Sequence, residues 1–347
     1  MNISENAFPN SWYPLCRSID LRSGKVRTCF ALGERFAVFR TVSGKVGALQ
    51  AVCCHMGANL AFGHVRGEAL CCPMHHWEYS HTGQCTHIPI DSNIPRRTKQ
   101  QSLLCVEHYG LVFAWLGEED PSFQPPVFPL GEKFHIASPR HFDFDAPYQT
   151  GAANAYDQHH LHSVHRREVI DSPKFYQRID QHFGIEFQAN IIGRSIYDHL
   201  LISMGKKQVH ISIDCWGGNL LLMNHLGTPN HMMIALLPIT HKRTRMFAVT
   251  LTPRLTSPVA NFIFGKLMVN IMHHLTMMFV KQDFRVLRGM HLKPNILLPK
   301  ADDSFIRWFH YWEALPRTSL AQQVMKKTAN QKRAERIGIY ISFSPYG

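Results

Sequence analysis

Cysteine and histidine recur at metal-ligand spacing in two places in this 347-residue chain. The first is Cys53-Cys54-His55, followed by Cys72-Pro73-Met74-His75. Each half offers one thiolate and one imidazole, spaced Cys-x-His and Cys-x-x-His. A [2Fe–2S] cluster with two cysteines on one iron and two histidines on the other takes such a set from two adjacent loops. Each iron then draws one ligand from each loop. Structural zinc also accepts two cysteines and two histidines, but zinc fingers set Cys-x-x-Cys apart from the histidine pair. The mixed halves do not follow that arrangement. Gly57, Gly83 and Pro73 supply turn chemistry for close approach of backbone to sulfur. Cys54 and Cys71 are surplus to the ligand set and are expected to be small buried hydrophobes.

The second place is Asn154-Ala155-Tyr156-Asp157-Gln158-His159-His160, closed by His165. Two histidines from one segment and a carboxylate from elsewhere hold ferrous iron in a facial triad. That triad leaves positions open for dioxygen and substrate. Residues 155–167 contain no Pro or Gly, so a helix is predicted, with Asp157 and His160 on one face. His165 lies about 140° further round an ideal helix than His160, so the helix must distort or end between them. His159, His162 and His165 are also spaced by three, and spacing alone leaves that register open. A third ligand is sought on a long helical pattern over residues 258–290. Its apolar residues Phe264, Leu267, Met268, Ile271, Leu275, Met278, Phe279, Val286 and Met290 recur every three or four positions and are expected to face the core. Asp283 falls on that stripe and is the only acidic residue between positions 256 and 300. A carboxylate facing a core needs a metal or a cation; a buried salt bridge is the competing explanation.

The elements that must position these residues fall into two groups. β-branched and aromatic runs over residues 26–32, 36–42, 46–52 and 103–116 predict short strands separated by turns. Pro121 to Pro129 reads as a linker. Strand-like runs then cover residues 209–216, 219–226, 231–238 and 245–251, before the long helix. The order suggests an α+β chain, in which an all-β first domain precedes an antiparallel sheet covered by a long helix, a helix-grip arrangement. The expected units are an extension (1–11), a cluster domain (12–120), a linker (121–135), an iron domain (136–316) and a basic tail (317–347).

Both motifs together resemble the Rieske non-haem iron oxygenases. The usual signature of that family, Cys-x-His-Arg-Gly then Cys-x-Tyr-His-Gly-Trp, differs here at Met56 and at His76, which precedes Trp77. The respiratory branch joins its two loops with a disulfide. The corresponding positions here are Ala58 and Met74, so the resemblance is to the oxygenase and ferredoxin branches. Asn-x-x-Asp-x-x-His-x4-His of the catalytic domain falls on Asn154, Asp157, His160 and His165, and a Gln/Glu-Asp pair falls on Gln282-Asp283. The resemblance implies a terminal oxygenase using dioxygen, with iron held by His160, His165 and Asp283. It implies a homotrimer in which Asp157 connects His75 of a neighbouring subunit to His160. It also implies electrons from NAD(P)H through a separate flavin reductase or ferredoxin, since no Gly-x-Gly-x-x-Gly follows a strand. Residues 55–60 and 85–89 are similar to the cholesterol 7-desaturase and 3-ketosteroid 9α-hydroxylase branch. That likeness suggests hydroxylation or desaturation of a bulky apolar ring substrate. O- or N-demethylation of the vanillate type uses the same metals, and an electron carrier would need only the first domain.

Composition bounds the rest. Hydrophobic content of 45% supports two packed cores. Nine cysteines are too few for a disulfide scaffold at this length, which favours metal binding in a reducing compartment. The first ten residues lack an apolar signal core, and Lys266, Asn270, His273 and His274 interrupt the most apolar stretch. A cytoplasmic protein without a membrane span is expected. The formal net charge of +12 suits an acidic redox partner or an anionic membrane surface. No nucleic-acid-binding pattern accompanies it.

Overall fold

The computed structural model describes residues 7–117, 120–128, 134–193, 196–203, 205–224, 230–290 and 302–319. The first domain is built from three small antiparallel sheets. In one, Leu111–Leu116 lies between Cys105–His108 and Ser11–Arg17 and is buried at every position. A central strand covered on both faces requires such an unbroken apolar run. A second sheet joins Val26–Ala31, Glu34–Arg40, Val46–Gln50 and Ser102–Leu103. The third joins His64–Arg66, Ala69–Cys71, Glu78–Ser80 and Cys85–His87. The expected single strand over 103–116 is corrected. It divides into three: Ser102–Leu103 joins one sheet and leaves it at Leu104, and Tyr109 and Gly110 take left-handed backbone (φ 47° and 75°) and reverse the chain between Cys105–His108 and Leu111–Leu116.

The second domain is a nine-stranded antiparallel sheet. Its main path runs Phe134–Ile136, Arg243–Pro253, His231–Thr240, Leu220–Asn224, Gln208–Trp216, His182–Ile191 and Arg167–Val169. Arg140–Phe144 flanks Arg243–Pro253, and Lys174–Tyr176 flanks His182–Ile191. Alternate residues Val209, Ile211, Ile213, Leu221, Met223, Met232 and Ile234 line one cavity on one face of the sheet. Helices α1 (Tyr148–Asn154), α2 (Gln158–Ser163), α3 (Ile196–Ser203), α4 (Pro258–Leu287) and α5 (Asp303–Ala314) complete the described residues. Asn219 ties the two domains together: it accepts from the Ser11 hydroxyl at 2.6 Å and donates to Trp12 O at 2.9 Å.

Ser257 caps α4, accepting from Ala260 N, and Pro258 occupies its first turn. The helix meets the sheet through Gly265, Val269, His273, Thr276 and Val280. A side chain at Gly265 would collide with the His135 ring, so the helix sits close against the strand Phe134–Ile136. The expected core stripe is therefore corrected. Phe264, Leu267, Met268, Ile271, Met278, Val286 and Met290 are exposed, Leu275 and Phe279 are half-buried, and the face against the sheet is taken instead by Gly265, Val269, His273, Thr276, Met277, Val280 and Leu287.

The expected linker is packed rather than free. Phe123 and Phe128 are buried, and Trp12 Nε1 donates to Phe123 O at 2.7 Å. The first and last described strands pair, Ala7–Pro9 with Arg317–Ser319, and the Arg317 guanidinium lies 4.1 Å over the Trp312 ring. Residues 1–6 of the extension, 129–133 of the linker and 320–347 of the tail lie outside the described residues.

Candidate metal centres

The first motif occupies two loops at the tip of the first domain. One leaves the strand Val46–Gln50, and the other connects Ala69–Cys71 to Glu78–Ser80. The loops repeat one backbone pattern. Cys53 N donates to Ala58 O while Gly57 N donates to Cys53 O; Cys72 N donates to Trp77 O while His76 N donates to Cys72 O. The fourth residue after each cysteine takes left-handed backbone, Gly57 at φ 78° and His76 at φ 56°. Histidine thus fills a position that glycine takes without steric cost.

Cys53 and Cys72 are buried in a small apolar cluster with Phe39, Leu49, Leu60, Leu70 and Tyr79, whereas His55 is exposed and His75 half-buried. The two imidazoles lie 4.8 Å apart between ring centroids, and the Trp77 ring stacks on His55 at 4.1 Å. Burial raises the Cys72 thiol above its ordinary range. A metal that binds there displaces that proton. Two buried sulfurs and two outward imidazoles on facing loops fit the cluster proposed for this donor set.

Two supporting residues carry no signal in the motif. Tyr79 Oη lies 3.2 Å from Cys53 Sγ and 3.4 Å from Cys54 Sγ. Gln100 donates to Gln50 O and Val52 O and accepts from Cys54 N at 2.9 Å, which pins the first loop. Cys71 is buried, but Cys54 is exposed, so its expected burial is corrected. Its sulfur nonetheless lies against the hydroxyl of buried Tyr79.

The second motif does not form one helix. α1 ends at Asn154 and α2 starts at Gln158, with Asp157 as its N-cap accepting from His160 N at 3.0 Å. Asp157 therefore does not share a helical face with His160. Aspartate satisfies the free amides of a first turn, and that preference outweighs helix continuation. α2 ends at Ser163, and Arg166 turns the chain with φ 53°. This turn brings His165 back beside His160.

Asp283 reaches both histidines from α4. Its Oδ1 lies 2.8 Å from His160 Nε2 and 2.7 Å from His165 Nε2. These three donor atoms lie within 4.8 Å of one another. Donors about 2.1 Å from one first-row metal and at right angles to each other are about 3 Å apart, which both contacts of Asp283 Oδ1 match, so the group is a candidate site for one ion. Burial alone would raise the Asp283 carboxyl, but the hydrogen bonds of His160 and His165 outweigh it and hold it below the usual carboxylate range. Asn154 Nδ2 lies 3.1 Å from His160 Nε2. The Phe279 ring stacks on His165 at 3.8 Å and fixes its plane. His162 is exposed, and exposed His159 faces Asp302 at 3.5 Å; neither joins the donor group. The buried salt bridge considered for Asp283, to an Arg or His, takes the histidine form here: the charged partners recorded for Asp283 are His160 and His165, the same two side chains that would share a metal with it.

Asp283, His160 and His165 sit at one end of an apolar cavity. Its walls are Leu161, Val209, Ile211, Ile213, Leu221, Met223, Met232, Ile234, Met246, Val280 and Leu287, with Thr276, Asn154 and Arg167 as polar points. Arg167 is held by Asp198 at 2.7 Å, both buried.

Residues 11–103 match the Rieske [2Fe-2S] domain family. Cholesterol 7-desaturase nvd 1 of Ciona intestinalis is 42% identical over 122 residues, covering 34% of this chain and 26% of that protein. The oxygenase component of 3-ketosteroid-9-alpha-monooxygenase of Rhodococcus rhodochrous is 33% identical over 119 residues, covering 34% of this chain and 30% of that protein. The chain thus matches less than a third of either curated relative. Dicamba monooxygenase bound to dicamba superposes with a TM-score of 0.67 at 20% identity, covering 92% of this chain and 98% of that one. The likeness extends through both domains and is one of fold.

Proposed function

We propose that this chain, whose residues 11–103 match the Rieske [2Fe-2S] domain family and which shares the fold of dicamba monooxygenase over 92% of its length, works as the terminal oxygenase of a multicomponent system. Its substrate is a bulky, apolar, sterol-like ring compound, which it hydroxylates or desaturates. One observation carries the reading: the donor atoms of His160, His165 and Asp283 converge on an apolar cavity, in a chain that also carries the cluster loops. An electron carrier has no use for the second domain.

When bound, the cluster passes single electrons and the mononuclear iron activates dioxygen. The chain's own residues set the conditions. Asp283 supplies the one negative charge among the three ligands. Phe279 holds the His165 ring in plane, and Asn154 places an amide beside His160. The aliphatic walls exclude water and leave an apolar ring system few polar groups to desolvate. Asp157 stands half-buried at the head of α2. In the proposed homotrimer it links His75 of the partner subunit to His160. A carboxylate between two imidazoles fixes their tautomers and carries a proton between them.

The names of the two curated relatives support the sterol class, and the cavity lining is compatible with it. Reducing equivalents come from NAD(P)H through a separate flavin reductase or ferredoxin, for which the basic chain offers a complementary surface. The thiol cysteines suit the cytoplasmic compartment. The test is product analysis with a surrogate reductase on sterols, 3-ketosteroids and aryl methyl ethers. Oxidised sterol products are expected. Turnover of the ethers alone would replace this reading with demethylation of the vanillate type.

A further inference from the structure

α4 presents two unlike faces. Its inward face closes the cavity through Thr276, Phe279, Val280 and Asp283. Its outward face is apolar over the first half, where Ile263, Phe264, Leu267, Met268 and Ile271 are all exposed, and Val259 and Phe262 beside them are exposed too, Phe262 at 89%. Phe262, Val269 and Thr276 are spaced by seven and share one side of the helix, yet Val269 and Thr276 are 2% and 8% exposed. The first turns therefore overhang the sheet. Among the described residues nothing covers this face. A contiguous apolar patch of this kind marks an interaction site.

The charge around the patch selects the partner. No acidic residue occurs from Cys215 to Gln282. Arg254 precedes the helix, Lys266 lies within the patch, and Lys281, Arg285 and Arg288 follow it; all five are exposed. The only acid on the helix, Asp283, is committed to the two histidines. Large apolar side chains whose own segment carries cations as its exposed charges, with Asp145 meeting only the far end of the helix at Gly289, match a bilayer with anionic headgroups, where the apolar groups enter the acyl boundary and the cations meet phosphate and carboxylate. By length and composition α4 is apolar enough to cross a membrane, and only 28% of its most apolar window is buried. Its other face is bound to the sheet, so it lies on a membrane rather than across one.

We infer that the outward face of α4 docks the protein on an anionic lipid surface. This goes beyond the oxygenase reading and stands without it. The placement sets the cavity one helix diameter, about 10 Å, from the phase in which apolar ring compounds dissolve.

Co-sedimentation of the holoprotein with phosphatidylcholine vesicles, with and without phosphatidylserine, tests it. Binding is expected to the serine-containing vesicles and to weaken with added salt. The exposed triple variant Phe264→Ser/Leu267→Ser/Ile271→Ser is expected to bind at least tenfold more weakly, with its cluster absorption unchanged. Lys281→Glu/Arg285→Glu is expected to lose roughly fivefold or more per residue. The inference fails if the wild-type protein stays in the supernatant with anionic vesicles, or if both variants pellet like it. It also fails if sedimentation velocity shows the apolar variant falling from an oligomer to a monomer, which would assign the face to a second copy of the chain.

Discussion

Replacing Asp283 by Asn removes one charge and almost no volume. In the native site a single carboxylate oxygen faces two Nε2 atoms at 2.8 and 2.7 Å. An amide keeps a neutral oxygen there but no anionic ligand. Four-ligand structural zinc sites are worth about 10–16 kcal/mol, or about 2.5–4 kcal/mol per ligand. Losing the carboxylate therefore weakens metal binding roughly 10²- to 10³-fold. The first loops should not respond, because Cys53 and Cys72 pack in a separate small core. Quantitative iron analysis reads both parts. The wild-type protein should hold about three irons per chain, two in the cluster and one beyond it. Asp283→Asn should hold about two, with the visible and paramagnetic resonance signatures of the cluster retained. A variant that keeps about three irons, or that loses the cluster instead, would refute the assignment of Asp283 as a ligand.

Asp157→Asn retains a side-chain oxygen to cap α2 and should keep both metals. Turnover should fall more than a hundredfold if its carboxylate links two imidazoles, whereas near-normal steady-state activity would leave it a helix cap only. Tyr79→Phe deletes the hydroxyl 3.2 Å from Cys53 Sγ. A hydrogen bond to sulfur favours the reduced cluster, so voltammetry should show a potential lower by about 60 mV for a bond worth about 1.4 kcal/mol; an unchanged potential would remove Tyr79 from the cluster environment. Burial, with Arg140 and His274 adding, pushes His273 from 6.5 down to about 4. The unfolded chain then binds the proton first. Stability is full above pH 6.5, falls as the pH drops from 6.5 to about 4, and loses about 3 kcal/mol through this residue over that window. Denaturant unfolding of His273→Gln should show a correspondingly smaller acid loss.

Legibility in the sequence followed local chemistry. The cluster loops were readable because four ligands lie within two short segments. The four main strands of the second sheet were readable from β-branched runs bounded by turns. His182–Ile191 was not, because Gly184 interrupts it; a side chain there would meet the Tyr176 ring of the neighbouring strand. The long helix was readable from its period, but period alone does not say which side is inward. Its apolar stripe faces outward while Gly265, His273 and Thr276 face the sheet. Of the expected stripe, Phe279 and Asp283 do turn to the cavity, at the edge of the inward face. Tyr79 and Gln100 act across the fold, and nothing in their neighbouring sequence marks them; Phe279 is marked only as apolar, not as the ring that stacks on His165.

A single-turnover experiment tests most directly whether the cluster and the second iron site work together as an oxygenase. The fully metallated protein is reduced chemically, freed of reductant, and mixed with dioxygen and a sterol. The cluster should reoxidise in step with the appearance of oxidised sterol, and both should require His160, His165 and Asp283. Reoxidation of the cluster with no product from any ring substrate, and unaffected by Asp283→Asn, would contradict the account and leave the chain an electron carrier.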